Sequence, residues 1–213
     1  MRLVNHEDAD RRLPGTASED TVGAAYTARL VGLSEARWKQ VLHVQAPYHW
    51  NHRRLLGDRR VLDVGCGIGR NLRALSPRSV GVDHNVHSVE HCRSLGLQAC
   101  TVEEFETTTW SEPFEGMLVA HVIEHLDPGG EADVLTMYLP HLAPGSPVVL
   151  ICPQERGFAS DATHTTFFDT TSLGRLAESV GLTVQRETSF PFPRRAGKAF
   201  IYNESVLVAT TPV

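Results

Sequence analysis

The stretch VLDVGCGIGRN, residues 61–71, decides the fold. It opens with a short, mostly apolar run that is typical of a buried strand, and glycines follow at Gly65, Gly67 and Gly69. Glycine at these positions lets the backbone turn tightly and approach a ligand, because there is no Cβ to clash. We therefore predict a strand, a ligand-binding loop and then a helix over residues 71–76.

Two acids accompany this loop. Asp63 lies inside the first strand, and Asp83 ends the next predicted strand, about 20 residues farther along. An acid at this second position can accept hydrogen bonds from both hydroxyls of a ribose. A dinucleotide-binding fingerprint would need a third glycine at position 70, where Arg70 stands. The spacing therefore disfavours a nicotinamide cofactor.

The rest of the chain alternates strands with helices, which predicts an α/β fold. We expect a doubly wound, mostly parallel sheet of seven strands that ends in an antiparallel pair. The further predicted elements are strands 79–83, 97–101, 116–122, 147–153, 182–190 and 203–211, and helices 86–95, 130–142 and 171–181.

The chain divides into three predicted segments. Residues 1–20 are polar and are predicted to be a flexible tail. Residues 21–56 carry apolar side chains at helical intervals and are predicted to form an N-terminal helical lid, split by Pro47 into two or three helices. Residues 57–213 contain the glycine loop and the whole predicted sheet, and so form the main domain.

Over about residues 50–211 the sequence resembles the class I S-adenosylmethionine-dependent methyltransferases. VLDVGCGIGRN is similar to motif I of that family, and VGVDHN, residues 80–85, is similar to its second motif. The resemblance implies a Rossmann-like fold and S-adenosylmethionine as the cofactor. It also implies these cofactor contacts: Asp63, Gly65, Cys66, Gly67, Gly69, Asp83, His84, Val102, Glu103, His121, Trp50 and Arg53.

Within that resemblance, individual contacts have individual roles. Asp83 would hold the ribose hydroxyls, Val102 would pack on the adenine ring and Glu103 would accept from its exocyclic amine. The family often has an acid at the position of Thr101, so this sequence departs from its pattern there. Trp50 and Arg53 stand just before the glycine strand and would contact the methionine end of the cofactor.

The run HVIEH, residues 121–125, matches the pattern H-x-x-E-H of some zinc proteases. A protease would need this run on a helix, yet GMLVA before it is strand-like and Pro128 follows within one turn. We instead place it at the carboxyl edge of the sheet, where ligands bind in open α/β folds.

Three hypotheses for this run stay open. Some O-methyltransferases of the ubiquinone type carry E-x-x-E-H here and bind a divalent metal, which implies a site at His121, Glu124 and His125 for an ion such as Mg²⁺. Alternatively, the run acts on the acceptor's proton. In the third hypothesis Glu124 and His125 only cap the next helix and brace the cofactor pocket.

Histidines are the candidate catalytic groups, because transfer to a hydroxyl requires the loss of a proton. His121 and His125 lie in the run described above, and His164 lies in the loop after the fifth strand, which should face the acceptor. Asp169 either caps the following helix or points toward a metal, and Gln154 and Glu155 could hydrogen-bond a polyol.

The composition of the chain limits which partners and which cellular compartment we expect for the protein. The formal net charge is −5, which argues against a nucleic-acid partner, and no apolar run approaches the roughly 20 residues that a membrane span requires. Four cysteines without a CxxC pair, together with a charged N-terminus, favour a cytoplasmic protein with free thiols. A homodimer is compatible with this composition.

The favoured acceptor is a small molecule with a hydroxyl, and a sugar such as a mannoside fits best. The site is rich in histidines and acids and poor in large apolar loop residues, and arginines stand beside aromatic residues in PFPRRAGKAF, residues 191–200. The alternatives are a quinone or phenol O-methyltransferase, an RNA methyltransferase and a non-catalytic module that binds S-adenosylmethionine.

Overall fold

The computed structural model of the protein describes residues 27–28 and 38–213. The predicted tail and part of the predicted lid, residues 21–26 and 29–37, lie outside these residues. Side chains in the first described helix are described from Gln45 onward.

One seven-stranded sheet organises the described chain, with the order β3-β2-β1-β4-β5-β7-β6. The first five strands along the chain pair in parallel, and β7 pairs antiparallel with both β5 and β6. The predicted mostly parallel sheet with a terminal antiparallel pair is confirmed. The strands are β1 Val61–Val64, β2 Val80–Asp83, β3 Ala99–Thr101, β4 Gly116–Ala120, β5 Pro147–Pro153, β6 Thr183–Phe190 and β7 Glu204–Thr210.

Helices and short 3-10 turns connect the strands. The 3-10 turns are Leu72–Ala74, Ile123–His125, Leu139–His141 and Arg194–Lys198. The α-helices are α1 Trp38–Leu56, α2 Val86–Ser94, α3 Val102–Thr107, α4 Gly130–Tyr138, α5 Glu155–Phe158 and α6 Thr170–Ser179.

Helix α1 runs through Pro47 without a break, so the predicted interruption there is wrong. A proline inside a helix removes one backbone hydrogen bond and disfavours the turn before it. The helix continues because its second half packs firmly: Asn51, His52 and Leu56 are all buried. Leu56 shares a core cluster with Val61 of β1 and Leu118 of β4, which ties this end of the predicted lid to the sheet.

The predicted helix over 71–76 is also wrong, since only the 3-10 turn Leu72–Ala74 forms there. The backbone N–H of Ala74 bonds to Asn71 and that of Leu75 to Leu72, which are the i to i+3 bonds of a tight turn. Pro77 follows and cannot donate to a longer helix. The glycine loop is therefore followed by a compact turn.

The core lies on both faces of the central strands. Every residue of β1, β2 and β4 is buried, as expected for parallel strands covered on both sides. This covering leaves the carboxyl ends of the strands as the accessible edge. Among the described residues, no helix is long and apolar enough to cross a bilayer.

Candidate active site

The glycine loop lies at the carboxyl end of β1. Gly65, Gly67 and Gly69 have φ angles of 70°, 52° and 76°, the left-handed region that favours glycine. A Cβ on Gly65 would overlap the side chain of Val122. At Gly67, by contrast, nothing in the described part of the chain lies within 4 Å of where a Cβ would stand. The loop therefore has one packed side and one open side.

Asp63 lies beneath this loop with its side chain buried, 1% exposed. Its Oδ2 finds no hydrogen-bond partner within residues 38–213. Burial first, and then the neighbouring Asp83 carboxylate, raise the pKa of Asp63 to about 8. A buried carboxyl oxygen without a partner costs about 1–3 kcal/mol, so this atom is suited to a donor that a ligand brings.

Asp83 ends β2 and is fixed by backbone donors from two loops. Its Oδ2 accepts from the N–H of Gly67 at 2.7 Å, and its Oδ1 accepts from the N–H of Asn85 at 2.9 Å. His84 is exposed, with Nδ1 3.6 Å from Asp83 Oδ1. Because each carboxylate oxygen has two lone pairs, Asp83 keeps further acceptor capacity at the strand end.

The predicted adenine side is the start of α3, a helix that we did not predict. Thr101 caps it in a capping box with Glu104: the Thr101 side chain accepts from the Glu104 N–H, and the Glu104 carboxylate accepts from the Thr101 N–H. Val102 is half-buried and Glu103 is exposed. The pattern T-x-x-E in TVEE was a signal for this helix.

Cys66 lies in the glycine loop, but its side chain points into the protein. It is 5% exposed and packs where a Cβ on Gly81 would have no room. Cys92 donates its thiol to the carbonyl of Gly67 at 3.2 Å from below the loop. A contact between Cys66 and a ligand would therefore involve its backbone.

Two predicted contacts come from α1. Arg53 donates from Nε to the carbonyl of Ala74 at 2.8 Å, which fastens α1 to the turn after the glycine loop. Trp50 is 59% exposed, and the guanidinium of Arg54 lies 5.4 Å from its ring centroid. The structure thus gives Arg53 an internal partner and leaves Trp50 on the surface.

His121 follows directly after β4 with a left-handed backbone, φ 58°. Its Nε2 lies 2.8 Å from Glu204 Oε1, and its Nδ1 lies 3.3 Å from Glu124 Oε1. Desolvation lowers the pKa of His121, but the interactions with the two carboxylates outweigh it and raise the pKa to about 10. His121 is therefore a cation held between two acids at neutral pH.

The rings of the other two candidate histidines are in contact, with centroids 4.6 Å apart and planes tilted by 57°. His164 Nδ1 lies 2.8 Å from the carbonyl oxygen of Phe158, which can only accept, so in the neutral ring Nδ1 carries the proton. His125 Nδ1 lies 3.3 Å from the carbonyl oxygen and 3.1 Å from the hydroxyl of Thr163. That hydroxyl donates its one proton to Asp161 at 2.7 Å, so it accepts from His125. Both neutral imidazoles consequently carry their lone pair on Nε2.

Glu124 lies between His121 and the pair formed by His125 and His164. It is 0% exposed, and the loop that carries His164 is tied to it, because Thr165 donates its N–H to the Glu124 carbonyl at 2.7 Å. Glu124, His125 and His164 each bring one potential ligand atom within 4.8 Å of the others. The structure therefore brings His164 into the predicted metal set and leaves His121 bound to acids beside it.

Comparison with known protein families agrees with the fold and with the glycine loop and acids described above. A family model described as a methyltransferase domain matches residues 34–187, well over half of the chain. The chain belongs to the methyltransferase domain family. It is a class I S-adenosylmethionine-dependent methyltransferase, and S-adenosylmethionine is its methyl donor.

Solved methyltransferases share this fold at low identity. A methyltransferase in complex with the Trm112 activator from Haloferax volcanii has a TM-score of 0.66 and 16% identity, covering 93% of this chain and 98% of that one. A possible histamine N-methyltransferase from Thermotoga maritima has a TM-score of 0.62 and 17% identity, covering 85% and 96%. Magnesium protoporphyrin IX methyltransferase from Synechocystis, with bound S-adenosylhomocysteine, has a TM-score of 0.62 and 12% identity, covering 90% and 97%. At these identities the likeness shows the fold alone.

No curated protein sequence matches the chain. Its acceptor must therefore be argued from its own residues.

The HVIEH run of this methyltransferase is not a zinc-protease helix. Ile123–His125 is a single 3-10 turn, and α4 begins only at Gly130. The hypothesis that Glu124 and His125 cap α4 is wrong too. Gly129 is the N-cap, and its N–H donates to the side chain of Glu131 at 2.8 Å.

Both polar residues proposed to bind a polyol, Gln154 and Glu155, already have internal partners. Gln154 is fully buried, and its amide bonds to Ser189 and Asn203 and to the carbonyl of Glu204. Glu155 makes a two-point ion pair with Arg194, at 2.6 and 2.7 Å. Asp169, by contrast, caps α6 as one of our two hypotheses had it, accepting from the Ser172 N–H at 2.9 Å.

Sequence reasoning missed two residues of the methyltransferase site, Glu204 and His52. Glu204 is 83 residues away from His121 in the chain and begins β7, and its Oε2 has no hydrogen-bond partner in the described structure. His52 is buried, and burial lowers its pKa to about 4, with further lowering from His49 and His121. Nothing in the local sequence pointed to Glu204, because its partner His121 is distant along the chain, and nothing in the sequence separated His52 from the other histidines of α1.

Proposed function

We propose that this methyltransferase transfers the methyl group to a hydroxyl of a small molecule, and that a sugar is the favoured acceptor. S-adenosylmethionine supplies an electrophilic methyl group on a positively charged sulfur. The protein's residues must bind it, orient the acceptor, exclude water and assist the loss of the hydroxyl proton.

Three observations support the cofactor contacts. The buried Asp63 Oδ2 lacks a partner among the described residues and suits a cationic amine. The open side of the loop at Gly67 admits a ligand against the backbone. Asp83 ends the neighbouring strand with lone pairs to spare for ribose hydroxyls. We retain Gly65, Gly69, Cys66, His84, Val102, Glu103, Trp50 and Arg53 as further contacts, Cys66 through its backbone.

The observation that carries the choice of a hydroxyl is the adjacent pair of His125 and His164. Both rings use Nδ1–H for an internal hydrogen bond, so both hold a lone pair on Nε2. The pair follows the carboxyl ends of β4 and β5, the edge at which acceptors bind in this architecture. Basic nitrogen atoms there assist the loss of the proton from a hydroxyl acceptor. An amine acceptor in its free-base form would not require that assistance.

His121 has a different proposed role from the pair. A side chain that is already protonated cannot take another proton, and its pKa of about 10 keeps it charged at neutral pH. Its ion pairs with Glu124 and Glu204 instead hold those buried acids at the sheet edge. We therefore propose His121 as a positioning residue and not as the base.

A polar acceptor with an apolar face fits the surroundings. Trp50, Phe192 and Tyr202 are 59%, 50% and 46% exposed. Tyr48 donates its hydroxyl to the Tyr202 carbonyl at 2.6 Å, which brings α1 against the segment between β6 and β7. Exposed aromatic side chains suit the apolar face of a sugar, and the net charge of −5 gives no support to an RNA acceptor.

An acceptor screen tests this proposal. Purified protein and radiolabelled S-adenosylmethionine would be incubated with panels of monosaccharides, oligosaccharides including mannosides, phenols, amines and RNA. We expect label in a hydroxyl-bearing small molecule, and a fall in kcat of about 10²–10⁴-fold for His164→Ala. His87→Ala, an exposed histidine on α2, is the matched control. Label found only in amines or RNA would refute the hydroxyl acceptor.

A further inference from the structure

We propose that Glu124, His125 and His164 form a binding site for one divalent transition-metal ion of the Zn²⁺ class. This inference rests on the proposed function and deepens it, because it states how the acceptor's hydroxyl is made acidic. With the ion bound, the two Nε2 lone pairs serve as metal ligands, so the histidines assist proton loss through the ion and water accepts the proton. The site differs from the one predicted from sequence, which held His121 and favoured Mg²⁺.

The spacing of the three side chains fits a single small ion. One potential ligand atom from each lies within 4.8 Å of the other two. Tetrahedral zinc with bonds of about 2.0–2.1 Å requires its ligand atoms to be about 3.3 Å apart. The side chains would therefore close by about 1.5 Å at most, which a rotation about side-chain bonds provides.

The hydrogen bonds behind the two imidazoles are those of metal ligands. A metal-binding histidine usually donates its other ring N–H to a carbonyl or carboxylate, which fixes the tautomer and aims the lone pair. His164 does this with the Phe158 carbonyl and His125 with Thr163. The Thr163 hydroxyl is itself held by Asp161, so the support extends one residue farther.

Glu124 supplies an independent second observation. It is fully buried, and its Oε1 accepts no hydrogen bond from any described residue, although the His121 ring lies 3.3 Å away as an ion pair. The His121 cation offsets part of the charge of this buried carboxylate, but the oxygen still lacks a hydrogen-bond donor or another ligand. Together with two imidazole lone pairs, it forms the His₂–carboxylate donor set of catalytic zinc sites.

The same donor set argues against magnesium. Mg²⁺ prefers oxygen ligands in near-ideal octahedral geometry, whereas imidazole suits Zn²⁺ and its first-row neighbours. His121 is not a ligand in our proposal, since Glu204 and Glu124 occupy its two ring nitrogens. It would instead help to hold Glu124 in place.

The chemistry balances without a further co-reactant. A divalent ion lowers the pKa of a hydroxyl that reaches it. The acceptor's O–H bond then breaks with the proton passing to water, an O–CH₃ bond forms, and the S–CH₃ bond breaks with its electron pair going to sulfur. The positively charged sulfur becomes a neutral thioether, and the released proton carries the charge.

Metal binding can be measured without any acceptor. The full chain would be stripped with a chelator, dialysed and titrated with Co²⁺, a spectroscopic stand-in for Zn²⁺, and followed by visible absorption. Calorimetry with Zn²⁺ and with Mg²⁺ would run in parallel. We expect about one tightly bound ion per chain for Co²⁺ and Zn²⁺ and far weaker binding of Mg²⁺.

Variants decide whether these residues hold the ion. His164→Ala and Glu124→Gln should each weaken Co²⁺ binding by about 100-fold or more, while His87→Ala should leave it unchanged. Circular dichroism and S-adenosylhomocysteine binding would check that each variant folds. If the His164→Ala protein folds and binds Co²⁺ as the wild type does, the inference is overturned. Binding of Mg²⁺ as tight as that of Zn²⁺ would overturn it as well.

The two proposals fail separately. Full methylation of a hydroxyl acceptor by metal-stripped protein, with activity still lost in His164→Ala, would leave the proposed function standing and remove the metal. Tight, His164-dependent Co²⁺ binding, together with methyl transfer only to amines or RNA, would leave the metal site standing and refute the hydroxyl acceptor.

Discussion

Replacing Asp63 by asparagine should change how the stability of the cofactor-free protein depends on pH. The pKa of Asp63 rises from 3.8 in the unfolded chain to about 8 in the folded protein, because the carboxyl is buried and faces Asp83. Between those values the folded protein holds a proton that the unfolded chain has lost. The free energy of unfolding therefore falls as pH rises through this window, and the loss is complete above the folded pKa.

The magnitude follows from the width of the window. One pKa unit corresponds to about 1.4 kcal/mol, so Asp63 lowers the free energy of unfolding by about 1.4 kcal/mol per pH unit between about pH 4 and pH 8. Asparagine has nearly the same shape and does not titrate. The free energy of unfolding of Asp63→Asn, measured relative to that of the wild type, should therefore increase by about 2–3 kcal/mol from pH 5 to pH 7.

Urea denaturation of both proteins at a series of pH values measures this difference. Asp58→Asn, at an exposed aspartate, is the control for the chemical change itself. Parallel stability profiles for the wild type and Asp63→Asn from pH 5 to pH 8 would refute the argument, because they would mean that the buried carboxyl does not hold its proton.

The same variant tests the role proposed for Asp63 toward the cofactor. A cationic amine beside this carboxyl would lower its pKa, so binding at pH 7 should release a proton from the wild type. Calorimetry in buffers with different ionisation enthalpies measures that release. Asp63→Asn should bind more weakly and release none, and an unchanged proton release would contradict the contact.

Three further predictions concern the loop and the helix caps. Gly65→Ala should lower stability by about 3 kcal/mol in thermal denaturation, from the left-handed backbone and the overlap with Val122. Adding Val122→Ala should restore the part due to overlap, and no rescue would mean that the contact is unimportant. Asp169→Ala should cost about 1 kcal/mol with cofactor binding unchanged in calorimetry, because only the cap of α6 is lost. Thr101→Ala should also lower the free energy of unfolding by about 1 kcal/mol. In addition it should weaken S-adenosylhomocysteine binding, since the helix that Thr101 caps begins with Val102, the proposed adenine contact.

How far sequence predicts this structure depends on how local the deciding interactions are. β5 has the predicted bounds of 147–153, because a wholly apolar run between turns leaves few alternatives. The glycine loop with Asp63 and Asp83 was predictable for the same reason: its residues are in or beside two neighbouring strands. The helix expected over 71–76 failed because Pro77 and the bond from Arg53 to Ala74 favour a tight turn.

The site was predictable only in part. His125 and His164 were candidates from sequence, but their common tautomer depends on carbonyl groups of Phe158 and Thr163, which only the folded loop positions. His121 changed from a candidate base to a half-exposed cation between two buried acids, and one of these, Glu204, lies too far along the chain for any local pattern to reveal it.

The position of β7 between β5 and β6 also affects synthesis of the chain. The ribosome makes β6 first, yet β7 must occupy the place next to β5. Until residue 204 and those after it emerge, the nascent protein leaves the apolar edge of β5 without a neighbour, and unpaired edges of this kind promote aggregation. Glu204 arrives with that same strand, so the protein acquires the partner of His121 only when the sheet closes.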